Sequence, residues 1–121
     1  MVASIFLSLN LGHKTNYIVG ADMSLHENVF VNKNNVVCNY DRHFYDKDAP
    51  VAIPFYKIED GSEVFKMDEL FLAFSKMFKG FWELEEYADY LNAKIYNASH
   101  QSYIDSFERF DLEKSIHSLS K

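Results

Sequence analysis

The stretch 68–95, DELFLAFSKMFKGFWELEEYADYLNAKI, is where the apolar period of this chain changes from two to about 3.6, and its reading decides the fold. Leu70, Phe71, Phe74, Met77 and Phe78 recur at i, i+1, i+4, i+7 and i+8, one face of a helix. Asp68 suits the N-cap, where its carboxylate can accept a backbone N–H of the first turn. Gly80 is a natural stop, because glycine readily takes the left-handed backbone that ends many helices. A second helix then carries Leu84, Ala88, Leu91 and Ile95 on one face. A third is expected from about Ser102, with Ile104 and Phe107 inward and Asp111 dividing it from Leu112, Ile116 and Leu119.

Upstream of residue 68 the period is two. Ile5, Leu7, Leu9 and Leu11 alternate with Ser4, Ser8 and Asn10, a half-buried strand broken only by Phe6. Residues 12–16 are turn chemistry, and 17–25 form a second strand candidate with Gly20 as a possible bulge. Val29–Val31 and Val36–Cys38 flank an Asn-rich turn, and asparagine tolerates left-handed backbone, so a hairpin is expected there. Residues 51–58 and 63–67 flank Glu59-Asp-Gly-Ser62 as a second hairpin. Pro54 lacks a ladder donor, which places its strand at an edge. The charged stretch 41–50 reads as a loop. The pattern predicts an α+β fold in one domain spanning 1–121. An N-terminal antiparallel sheet of four to six strands (1–67) would carry about three C-terminal helices (68–121) on one face.

The charge is lopsided. The net charge is −6, and residues 81–113 hold eight acids against two bases, so the other 88 residues balance to zero. With Leu84 and Ala88 turned inward, Trp82, Glu83, Glu86, Asp89 and Tyr90 point outward or to the flank. Large rings among carboxylates suit docking onto a cationic protein: aromatics bury much area at low entropy cost, and the acids speed encounter with a basic partner. The competing reading is a solvated helix face, with Trp82 capping the core.

A second polar cluster is Asp41-Arg42-His43-Phe44-Tyr45. On extended chain Asp41 and His43 share a face and offer acid–base chemistry or two metal ligands, but no third ligand follows at a demanding spacing. A loop or an interface element containing Asp41, Arg42, His43 and Tyr45 is the preferred reading. The histidines are scattered, and no nucleophile elbow, paired-His or paired-Cys motif occurs. Cys38 has no partner for an internal disulfide and reads as packing. The four glycines never cluster into a phosphate-binding loop, and no short window holds three Lys or Arg, which argues against direct nucleic-acid binding. There is no basic leader and no apolar run of membrane-spanning length, so a cytoplasmic protein without membrane contact is expected. The sequon Asn97–Ser99 is read as chance.

These features indicate a non-enzymatic protein without cofactor or metal that binds a basic protein. In general character it is similar to bacterial toxin-immunity proteins, which would make its partner a basic toxin such as a nuclease. The alternative is a phage or mobile-element anti-defence protein, an anti-CRISPR or DNA mimic, whose carboxylates imitate phosphates. Two further readings are an enzyme built on Asp41 and His43 and a subunit that self-associates through its aromatics.

Overall fold

Residues 2–10 fold as a helix, not a strand. In the computed structural model, which describes residues 1–41, 51–58 and 61–112 (backbone only at Asp41), α1 is Val2–Asn10. Ile5 and Leu9, four apart, are 5% and 3% exposed, whereas Leu7 and Leu11, which alternation would bury with them, are 58% and 68% exposed. Phe6, the residue that broke the alternation, joins Val2, Ile5 and Leu9 in the i, i+3, i+4, i+7 spacing of a helix face. The expected α+β arrangement is therefore corrected. The described residues form two α-helices, a short 3₁₀ helix and six strands in two three-stranded sheets, one parallel and one antiparallel. Among the described residues no large N-terminal sheet forms, and no group of three C-terminal helices.

The chain divides into two compact units, residues 1–23 with 76–121, and residues 24–75. In the first unit, β1 (Thr15–Ile18) pairs in parallel with β5 (Lys94–Asn97), and β5 with β6 (Glu108–Arg109). Parallel strands cannot be joined by a hairpin, and the connection from β1 to β5 is long, taking in all of α2. The core of this unit gathers Ile5, Leu9, Ala21, Phe81, Leu84, Ala88, Ala93, Ile95, Ile104 and Phe107.

Gly80 does not end a helix. The helix α2 runs without interruption over Met67–Tyr90. Phe81, 1% exposed, packs edge-on to Phe78 and Phe107 at 6.3 and 5.9 Å between ring centroids. Burying such a ring contributes about 1.5–3 kcal/mol, against about 1 kcal/mol for a glycine inside a helix. Continuation wins. The real stop is Asn92, at φ 51°, with the Ala93 N–H bonded to the Ala88 carbonyl and the Asn92 N–H to that of Asp89. This is a Schellman ending with asparagine in the left-handed position. At the other end Asp68 lies inside the first turn rather than at the cap. Glu69 reaches back to accept the Lys66 N–H at 2.8 Å, half of a capping box.

The expected third helix is also corrected over its described part. Ile104 and Phe107 are buried as the pattern required, but the segment between β5 and β6 is irregular. Its polar groups bond elsewhere. The Tyr103 N–H donates to the Asp22 carbonyl, Ser102 Oγ to the Ala21 carbonyl, and Ser99 Oγ accepts the Ala21 N–H. Fully buried Asn97 donates to the Ile104 carbonyl and accepts the Ser99 N–H. A helix would have taken those backbone groups for itself.

The second unit holds the antiparallel sheet β2 (Val29–Val31), β3 (Val37–Asp41) and β4 (Val51–Pro54), in that order. The Asn-rich turn forms as its residues imply. Asn35 sits at φ 58°, and Asn32 Oδ1 accepts the N–H groups of Asn34 and Val36. Pro54 lies on the edge strand. The second hairpin is reduced to a bridge between Tyr56 and Val64, flanked by backbone bonds Lys57–Glu63 and Phe65–Phe55; residues 59 and 60 of its turn lie outside the described residues. Cys38 is 1% exposed, and its Sγ accepts a hydrogen bond from Asn32 Nδ2.

Candidate protein-docking surface

The acidic-aromatic residues named from the sequence lie on the second half of α2, within the first unit. At about 100° per residue, Asp89, Trp82, Glu86, Tyr90 and Glu83 fall within roughly a third of the helix circumference. All five are exposed, Trp82 by 47% and Tyr90 by 79%. Leu84 and Ala88 are buried behind them, so the inward and outward faces divide along the helix as its periodicity implied. Ile95 is fully buried too, but from β5 rather than from a helix. Of the second cluster, Asp41 ends β3 as a backbone position only, and Arg42, His43 and Tyr45 lie outside the described residues.

Two lysines temper the charge of the stripe. Lys79 approaches Glu83 at 3.8 Å, with both side chains well exposed, a pair of little energetic weight. Lys94 donates to Asp89 at 3.0 Å and approaches Glu85 at 4.0 Å. The bond to Asp89 holds the Lys94 ammonium above its usual range. Glu85 behaves differently from its neighbours. Burial pushes its carboxyl up; Lys94 opposes the shift, and Asp89 and Glu108 add to it. One of its oxygens, Oε2, is buried without a hydrogen-bond partner among the described residues. Glu83 and Glu86 are the carboxylates best placed to meet a cation.

The structure adds a feature that a strand reading of residues 4–11 hides. Beside the stripe, α1 and α2 enclose an apolar groove of about 590 Å³ lined by Val2, Ala3, Phe6, Gly80, Glu83, Leu84 and Tyr87. Phe6 stacks on Tyr87 at 5.3 Å, and Tyr87 on Tyr90 at 6.4 Å, so a row of rings leads from the groove onto the acidic stripe. The Tyr87 hydroxyl donates to Asn10 Oδ1 at 3.0 Å and ties the two helices together. The signal that would have found Phe6 was its position one residue after Ile5, out of phase with a strand and in phase with a helix.

No protein-family model, no curated protein and no solved structure matches this chain. Among the described residues no helix is long and apolar enough to cross a membrane, and no three His, Cys, Asp or Glu side chains gather as a metal site.

Proposed function

We propose that this protein is a non-enzymatic inhibitor that binds a basic protein, of the toxin-immunity kind, through the outer face of the second half of α2. The observation that carries the reading is the joint exposure of Trp82 and Tyr90 among Glu83, Glu86 and Asp89 on one helix face. Interface anchors are aromatic residues of this sort, set in a patch whose charge selects the partner. The DNA-mimic alternative asks for carboxylates repeated along an extended line. The three acids here lie within two helical turns, about 9 Å of axis, which favours a compact basic patch on a protein. The partner class is a cationic toxin domain such as a nuclease, whose substrate cleft must itself attract phosphate.

The test is calorimetric binding of the full chain to purified basic nuclease domains of bacterial toxins, with nucleic-acid cleavage as a second readout. Trp82→Ala is expected to weaken binding by about 2 kcal/mol, roughly thirtyfold. Joint reversal of Glu83, Glu86 and Asp89 to lysine is expected to slow association and flatten its salt dependence. Binding left unchanged by both variants refutes this face.

A further inference from the structure

Three observations on the groove between α1 and the second half of α2 point to what fills it. The first is Gly80. It sits inside a long helix, its φ is not in the left-handed region, and among the described residues a Cβ built there meets no atom within 4 Å beyond its own helix turn. Neither a turn nor a close approach of other described chain requires a glycine at this point. Its missing side chain opens the groove, at a cost of about 1 kcal/mol in helix propensity.

The second is the lining. Val2, Ala3, Phe6 and Leu84 are apolar, Phe6 is half exposed, and among the described residues Glu83 is the only ionisable lining residue apart from the Tyr87 phenol. A specific site for a small polar molecule needs several convergent polar groups, which the described lining does not supply. A mainly apolar lining drawn from two helices suits one side of an amphipathic helix.

The third is charge. Glu83 stands on the lip of the groove, and Glu86 and Asp89 continue along the same helix face. Among the described residues no lysine or arginine lines the groove, and the one cation beside Glu83, Lys79, is a well-exposed partner at 3.8 Å. An apolar trough with an acidic lip complements a helix whose apolar stripe is flanked by Lys or Arg.

We infer that this groove is the receptor for a cationic amphipathic helix of the partner protein, seated with its apolar residues over Gly80 and its basic residues against Glu83 and Glu86. The inference rests on the docking reading above and adds the shape and chemistry of the bound segment. Val2 and Phe6 contact its apolar side chains, and the Phe6–Tyr87–Tyr90 row carries the contact onto the outer face.

The experiment uses a fluorescein-labelled Leu/Lys peptide of about 18 residues, five helical turns, with leucines at i, i+3, i+4 and i+7, titrated with the full chain and followed by anisotropy. Its Leu/Glu counterpart is the control. Wild type is expected to bind the Leu/Lys peptide at least about tenfold more tightly than the control. Gly80→Leu fills the groove and is expected to weaken binding about tenfold or more, without lowering the melting temperature. Phe6→Ala, at an exposed position, is the second variant and is expected to weaken binding in the same direction.

Equal binding by wild type, Gly80→Leu and Phe6→Ala overturns the groove. So does failure of wild type to bind the Leu/Lys peptide at ~1 mM. If the groove variants leave binding intact while lysine reversal of Glu83, Glu86 and Asp89 abolishes it, the groove falls and the acidic face stands. If the groove variants abolish binding and the reversal does not, the cationic occupant and the acidic-face reading fall together.

Discussion

Replacing Gly80 by alanine is expected to stabilise the protein by about 1 kcal/mol. The magnitude follows from the position. Gly80 is interior to Met67–Tyr90, ten residues from its last residue, so the full difference in helix propensity applies. Among the described residues the new methyl meets nothing within 4 Å beyond its own helix turn, so no overpacking term opposes it, and it gains little by packing. The backbone there is not left-handed, so no strain is introduced. The gain arises in the unfolded chain, which has fewer conformations to lose when alanine replaces glycine. For a chain of this size the melting temperature is expected to rise by about 4 °C. Urea unfolding followed by far-ultraviolet circular dichroism should show a higher midpoint with an unchanged slope. Gly80→Pro is the opposing control and should cost about 3 kcal/mol or more, because it removes a helix hydrogen bond and clashes with the preceding turn. A lower midpoint for Gly80→Ala would refute the reasoning. It would mean that the helix does break at Gly80, where alanine cannot take the stop conformation.

Two further expectations concern single groups. Glu85 has its folded-state pKa raised, chiefly by burial, so the folded protein binds more protons than the unfolded chain between the ordinary carboxylate value and the raised one. Stability from this group therefore falls as pH rises through that window, and the penalty is complete above it. Glu85→Gln is expected to be more stable than wild type near neutral pH and to lose that advantage under acid conditions. Denaturant titrations across pH would refute this if the advantage grew as pH fell. Asn92, at φ 51° in the helix stop, is expected to accept glycine with a gain of a few tenths to 1 kcal/mol, and to lose about 1 kcal/mol as alanine. A thermal melt in which alanine matches asparagine would refute the role of that backbone conformation.

Several elements were legible from local chemistry. The turn at residues 32–35 is fixed by asparagines that bond their own backbone and tolerate left-handed φ, and the hairpin around it needs no distant contact. The edge placement of Pro54 follows from its missing N–H. The division of α2 into a buried Leu84–Ala88 side and an exposed Trp82–Tyr90 side is a matter of helical period alone. The five helical members of the candidate surface were therefore in reach of the sequence, while the groove beside them was not, because α1 carried an alternation that fits a strand.

By itself the sequence determined where the negative charge lies, which side of α2 is apolar, and where the asparagine turn closes. Tertiary contacts decided the rest. Residues 2–10 are a helix because Ile5 and Leu9 find a common core with Phe81 and Ile95. The backbone helix passes through Gly80 because burying Phe81 outweighs the weak propensity of one glycine. The segment 102–107 is irregular because Ser102 and Tyr103 bond to Ala21 and Asp22, some 80 residues away, and the Ile104 carbonyl accepts from Asn97. A local pattern records which side chains avoid water, but only the folded chain supplies the partners that choose between two conformations able to hide them.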